Sequence, residues 1–202
     1  MLGEDIIGFF EAVGPLGLII AFAVISFLDG FAIPTLPEAW LILIALTDTT
    51  VPWGLMLVLV GTASAVGAQF ILYSIVKRAG MPARIKKVMN KYTKILIVSS
   101  EKLTFVNWLA PVVPFTGAFI AVREDWKPKL AFGYSVLGGL VKMTILVSIA
   151  ILFPLLVPPE TVADASLVLI LVVLVVSIAV TFIRHKRIEK RIAESAGAET
   201  KE

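Results

Sequence analysis

The stretch FAIPTLPEAW, residues 31–40, sets two prolines three apart, Pro34 and Pro37, directly before a carboxylate, Glu38, inside an otherwise apolar region. Proline has no N–H and clashes with the preceding turn, so Pro34 ends an incoming helix. Proline is favoured at the first position of a helix, so Pro37 opens an outgoing one. The stretch therefore reads as the tip between two half-helices, and the question is what medium surrounds it.

The composition answers that question. Of the 202 residues, 58% are hydrophobic, and the mean hydropathy is +0.96. Soluble domains carry about 45–50% apolar residues. The excess lies in blocks at 15–28, 39–46, 53–76, 130–157 and 165–183, several of them near the ~20 residues that cross a bilayer as a helix. Strands of a membrane barrel would alternate in polarity, and these blocks do not. The expectation is an all-α polytopic membrane protein with a single transmembrane domain over 1–184 and a charged tail over 185–202.

Charge orients the chain. No Lys or Arg precedes Lys77, and a basic run then extends from Lys77 to Lys102. A second basic cluster, Arg184, Lys186, Arg187, Lys190 and Arg191, follows the last apolar block, whereas 154–164 contains only Glu160 and Asp164 as charges. Basic segments stay on the cytoplasmic side. The C-terminus is therefore expected inside, and the N-terminus and the 154–164 loop outside, a multi-pass protein of the plasma membrane. Spans are expected at 53–77, 129–153 and 164–183. Residues 80–96 place Ile85, Val88, Met89, Tyr92 and Leu96 near helical spacing, an amphipathic helix for the anionic inner leaflet. Residues 103–122 are apolar with basic flanks on both sides, so they enter and leave on one face. Their middle, APVVPFTG (110–117), repeats the P-x-x-P device with Pro111 and Pro114.

Shifting the chain by 77 residues superimposes Pro34 on Pro111, Pro37 on Pro114, Asp48 on Asp125 and Gly61 on Gly138. The unit is a Pro-tipped re-entrant hairpin (15–47, then 103–122) followed by a transmembrane helix. A single spanning helix between the hairpins gives the copies opposite orientation, an inverted repeat. Broken helices in inverted repeats are a transporter architecture with the site near the midplane. Unpaired backbone at that depth is tolerated only against protein or a water-filled cavity.

Three charges fall within the membrane segments: Asp29, Glu38 and Lys142. Insertion scales put the most unfavourable types at roughly 2.5–3.5 kcal/mol each at a helix centre, so each should face a partner or water. Glu38 fits either a helix N-terminal carboxylate favoured by the macrodipole or an ion-binding group. Asp29 fits either an interfacial residue or a second such group. Lys142 fits either a salt bridge to one of these acids or a substrate contact. Gln69 and Thr116 complete the candidate substrate and ion site with Pro34, Pro37, Pro111 and Pro114. Small residues at 61–68 and Gly138–Gly139 read as close helix packing, and Trp53 and Trp126 as interfacial anchors.

The chain has no cysteine and one histidine, His185, which lies in the basic tail. Thiolate metal sites and disulfides are thereby excluded, and the position of His185 argues against a histidine-based metal site or catalytic triad. No phosphate-binding loop is present, and no nucleophile–base pair stands out, so the expectation is not an enzyme, with no cofactor beyond a coupling H⁺ or Na⁺. Membrane lipids, the anionic inner leaflet and a second copy of the chain are compatible partners; nucleic acid is not, because the basic clusters follow the membrane topology.

DGFAIPTLPEAW (29–40), GTASAVGAQFILYSIVKRAG (61–80), APVVPFTGAFIAV (110–122) and FGYSVLGGLVK (132–142) resemble, in that order, the motifs of the DedA superfamily, membrane proteins with the VTT or SNARE-associated domain. The resemblance covers roughly 15–153 and extends to the related small multidrug export group. It implies two opposed re-entrant hairpins, family acids at Asp29 and Glu38, and translocation or scrambling of lipids, polyprenyl phosphates included, linked to the proton-motive force. The family's second tip carries arginines three residues either side of a proline. Around Pro111 those positions are Trp108 and Pro114, and Lys142 is the cation that could replace them. The expected function is a lipid carrier moving a phosphorylated headgroup across the bilayer, with Asp29 and Glu38 exchanging H⁺ or Na⁺. A small cation or multidrug exporter using the same two acids is the alternative, and a non-transporting scaffold the second.

Overall fold

The computed structural model describes residues 2–31, 33, 35–81, 100–110, 113 and 115–156, together with 168, 171, 172 and 175. Pro34, Pro111 and Pro114, nearly all of the expected amphipathic helix and the last span, the 157–164 part of the outer loop, and the tail lie outside them. Among the described residues the chain is all-helical, with no strand. The helices are α1 (Leu2–Gly30), α2 (Pro37–Ala45), α3 (Val51–Ala79), α4 (Leu103–Leu109), α5 (Thr116–Val122) and α6 (Pro128–Leu156). By length and composition three can cross a membrane: Val13–Gly30, Val51–Ala79 and Pro128–Pro154.

Local chemistry explains the breaks. Helix α1 leaves helical geometry at Gly14 (φ 72°, ψ 165°), and Pro15 follows. Glycine tolerates that backbone because it has no Cβ. The expected start of the first hairpin at residue 15 falls on this kink, with helical backbone continuing before it to Leu2. Beyond α1, Phe31 and Ile33 donate back to the carbonyls of Phe27 and Leu28, and the Thr35 hydroxyl donates to the Ile25 carbonyl at 3.0 Å. Leu36 then adopts the left-handed conformation (φ 52°, ψ 57°) before Pro37 opens α2. Phe115 does the same (φ 56°, ψ 51°) before α5. Such backbones cost of order 1–3 kcal/mol at a non-glycine residue and persist where surroundings over-determine them.

Helices α3 and α6 run antiparallel. Gly54 of α3 faces Val147 and Ile151 of α6, Gly61 faces Met143, and Gly139 faces Thr62. Each of these two is accompanied by a helix running in its own direction, α1 beside α3 and α4 beside α6. Along α1, Phe22 packs on Gly61, and Gly30 packs on Ala65, the central residue of the 29-residue α3. Thr104 of α4 donates to the Ala131 carbonyl of α6 at 2.7 Å, and Trp108 reaches Ser135 one turn further on. After its break the chain returns to the end from which it came. The Trp53 indole donates to the Ile44 carbonyl at 3.0 Å, tying the end of α2 to the start of α3. The Lys127 N–H donates to the Glu101 carboxylate at 2.9 Å, tying the approach to α4 to the start of α6. Helix α2 also packs on α6, and α5 on α3, so each returning helix seals against the long helix of the other half.

The core follows from this exchange. One cluster joins Phe22 of α1, Leu41, Ile42 and Ile44 of α2, Leu57 of α3 and Met143 of α6, all buried. A second joins Leu103, Phe119, Ile120, Trp126 and Ala131. Outward faces stay apolar, with Leu55, Leu59, Phe70, Leu137 and Ile145 all exposed. In water a contiguous apolar surface of that kind would drive association; in a bilayer it meets its natural solvent.

Candidate functional site

A cavity of about 200 Å³ lies where the two breaks meet, lined by Asp29, Gly30, Glu38, Gln69, Asn107, Trp108, Val113, Phe115, Thr116 and Lys142. Its height in the fold is set by two central residues. Gly30 abuts Ala65, the centre of α3. Lys142 is itself the central residue of the 29-residue α6. A helix of that length spans about 43 Å, so its centre is about 21 Å from either end.

The charged groups are contributed by three elements. Asp29 comes from the last turn of α1, Glu38 from the first turn of α2, and Lys142 from α6. The Lys142 ammonium donates to Glu38 Oε1, with the two side chains 20% and 18% exposed. The same ammonium stands 5.9 Å from the centre of the Trp108 ring, within cation–π range. The Asp29 carboxylate makes no hydrogen bond or ion pair with another described residue, although it lines the same cavity. Two carboxylates therefore face one ammonium. The Glu38 position is also favourable on its own helix, because free N–H groups at an N-terminus attract negative charge.

Neutral hydrogen bonds hold the frame. The Trp108 indole donates to Ser135 Oγ at 2.8 Å, and Ser135 donates to Gln69 Oε1 at 2.6 Å. That chain links α4, α6 and α3 and fixes the indole face beneath Lys142. Asn107 stitches the second break: its Oδ1 accepts from the Val113 N–H at 2.7 Å, and its Nδ2 donates to the Val113 carbonyl at 3.1 Å and to Thr116 Oγ1 at 2.8 Å. Gly117 brings the start of α5 so close to α3 that an added Cβ would collide with the Gln69 carbonyl.

The cavity brings together Asp29, Glu38, Gln69, Thr116 and Lys142 of the residues expected from sequence. Pro37 is buried at the first position of α2. Of the two readings of Lys142, the ion pair with Glu38 is present in this state of the cavity. Three contributors were missed: Asn107, Ser135, and Trp108 as an aromatic wall. Asn107 was accessible to the reasoning applied to the charges, since it is an amide inside the apolar segment LTFVNWLA. Ser135 carries no signal of that kind, because a lone serine in a small-residue helix reads as packing. Among the described residues no cluster of three or more His, Cys, Asp or Glu side chains could hold a metal.

No family model, curated protein or solved structure matches the chain.

Proposed function

We propose that the chain is a multi-pass carrier of the plasma membrane that moves the phosphorylated headgroup of a lipid across the bilayer through the central cavity. The observation that carries this reading is the Lys142 ammonium at the midpoint of α6, inside a polar cavity bounded by two helix breaks. In this reading α1–α2 and α4–α5 are re-entrant hairpins, and each hairpin plus its following long helix is one copy of an inverted repeat. The exchanged packing of α2 on α6 and α5 on α3 supports that symmetry. Each returning helix is also preceded by a left-handed residue, Leu36 before α2 and Phe115 before α5, although the two are offset by two positions in the 77-residue repeat. In this reading the antiparallel α3 and α6, each with a hairpin returning to its own starting end, have the hairpins enter from opposite faces. That arrangement fits the N-out, C-in orientation drawn from the basic clusters.

At the second tip the chain departs from the DedA pattern it resembles. Position 108 carries tryptophan where that family has a tip arginine, and Lys142 sets its ammonium over that ring. The cation lacking from the tip is delivered from the neighbouring helix. Phosphate binding draws on that ammonium, the Gln69 amide and the Thr116 hydroxyl, while the lipid tails stay in the bilayer.

One observation favours a second reading. The excess of carboxylates over ammonium suits a small cation or cationic drug held by Asp29 and Glu38. Reconstitution of the purified chain in liposomes separates the two, with a fluorescent polyprenyl phosphate, a fluorescent phospholipid and a cationic dye assayed side by side. The carrier reading expects translocation of the phosphate-bearing lipids. Movement of the dye alone would overturn it in favour of the exporter.

A further inference from the structure

The end of the molecule where α3 finishes and α6 begins gathers positive charge. Its described basic side chains are Lys77, Arg78, Lys102, Arg123, Lys127 and Lys129, and its acids are Glu101, Glu124 and Asp125. Asp125 is paired with Arg123, and Glu101 accepts the Lys127 N–H. Lys77, Arg78 and Lys129 are exposed, and none of them forms an ion pair or hydrogen bond with a described residue. Lys77 and Arg78 stand in the last turn of α3, where the helix dipole favours a cation. Lys129 lacks that explanation. It stands in the first turn of α6, which carries no acidic residue and where the dipole disfavours a cation. An anion is the complement this end lacks.

Ring contacts between the two helices bring these charges to one place. Phe70 and Tyr73 of α3 both meet the Phe132 ring of α6 edge-on, with centroids 5.4 and 5.5 Å apart. Lys77 lies one turn beyond Tyr73, and Lys129 one turn before Phe132. Because α3 and α6 run antiparallel, both steps lead toward the same end. Side chains three or four apart share a helix face, and packed helix axes lie about 8–10 Å apart. The two ammonium groups therefore flank the α3–α6 seam within reach of one phosphate. On the inner side of the rings the seam is apolar and shallow. Phe70 is 55% exposed, and Val136 and Leu137 are exposed. A Cβ added at Gly67, one turn below Phe70, or at Gly133, next to Phe132, would meet nothing. The seam is thus a furrow that is basic at the helix ends, aromatic next and apolar toward mid-helix. One membrane lipid has the same profile: a charged headgroup, an interfacial level where aromatic rings concentrate, and acyl chains.

We propose that this furrow binds an anionic phospholipid from the leaflet on its side of the membrane. The phosphate lies between Lys77 and Lys129 with Arg78 adjacent, and an acyl chain follows Phe70, Gly67 and Val136 toward mid-depth. None of these residues lines the central cavity, so the site is separate from it and does not depend on the carrier reading. In the orientation drawn from the basic clusters the leaflet is the cytoplasmic one, whose surface anionic lipids make negative. The stems of Lys77 and Lys129 can lie along the apolar seam while their heads stay at the headgroup level.

The test counts bound lipids on the full-length chain by native mass spectrometry from a neutral detergent. The protein is titrated with dioleoyl phosphatidylglycerol and, separately, with dioleoyl phosphatidylcholine. The wild type is expected to bind the first phosphatidylglycerol about tenfold more tightly or better, since each basic residue near an anionic lipid surface contributes about 1 kcal/mol. The double variant Lys77→Gln/Lys129→Gln should bind the two lipids alike. Lys102→Gln/Lys127→Gln removes the same charge from the same end without touching the furrow and should keep the preference, as should Lys142→Met. Glycerol phosphate, the headgroup without tails, should not displace the lipid at equal concentration. Equal binding of the two lipids by the wild type overturns the proposal, and this result needs no variant to fold. A preference that survives in folded Lys77→Gln/Lys129→Gln, or falls equally in the charge-matched control, also overturns it. Loss of the preference in Lys142→Met would place the headgroup in the cavity instead, and displacement by glycerol phosphate would make the site one for a free phosphate; either result overturns the lipid site.

Discussion

At the scale of the residue, Glu38 and Lys142 carry the account. A carboxylate that only caps α2 can be replaced by glutamine at little cost: the amide keeps an acceptor and forfeits a charge–dipole term of about 0.3–1 kcal/mol. Under the carrier reading Glu38→Gln instead abolishes gradient-driven lipid transport in liposomes while monodisperse, helical protein is still recovered. Transport at the wild-type rate would reduce Glu38 to a cap. Lys142→Met should remove movement of polyprenyl phosphate, because the cavity's cation is gone, and should leave or raise affinity for a cationic dye, because a repelling charge is gone. The charged members of this site were legible in the sequence, since an ionisable side chain in a hydrophobic block demands a partner or water. Which acid Lys142 pairs with was not. Asp29 and Glu38 were equal candidates until the fold placed the first turn of α2, rather than the last turn of α1, against the centre of α6.

At the scale of the element, the breaks are what can be altered. Replacing Pro34 and Pro37 with alanine removes two residues that each oppose an interior helix by about 3 kcal/mol. Helicity measured by circular dichroism should rise, and transport should fall more than membrane insertion does. Gly117→Ala forces a methyl group against the Gln69 backbone, and overpacking of that kind typically costs 1–3 kcal/mol. Thermal unfolding should register the loss, together with weaker lipid binding as Thr116 and Asn107 shift. Outside the membrane segments, the Lys127 N–H holds the Glu101 carboxyl below its ordinary value of 4.5. A depressed folded-state value means that the tie between the approach to α4 and α6 is complete above that ordinary value. It is lost as pH falls through the lower one, so hydrogen exchange at the Lys127 amide should lose protection only in acid. The breaks themselves were legible from the P-x-x-P pairs, and both fall between the expected half-helices. Their conformation was not. The left-handed residues are Leu36 and Phe115, one just before a tip's second proline and the other just after. No propensity argument selects a leucine or a phenylalanine for that backbone; tertiary packing imposes it.

At the scale of the whole molecule, the account rests on two hairpins that enter from opposite faces and meet at mid-depth. The antiparallel long helices and the return of each hairpin to its own end supply the geometry, and the basic clusters supply the direction. Hydropathy alone does not point to the proposed arrangement, because Val13–Gly30 is long and apolar enough to cross outright. The proposed re-entrant path rests instead on the contact of Gly30, at the end of α1, with Ala65 at the centre of α3. Site-directed thiol labelling in intact cells and in inverted vesicles measures it most directly, and the cysteine-free chain needs only single substitutions. Asp48→Cys, at the turn after the first hairpin, should react with an impermeant maleimide from outside only. Asp125→Cys, at the turn after the second, should react from the cytoplasmic side only. Labelling of both positions from the same side would contradict the opposed hairpins and the central site that depends on them.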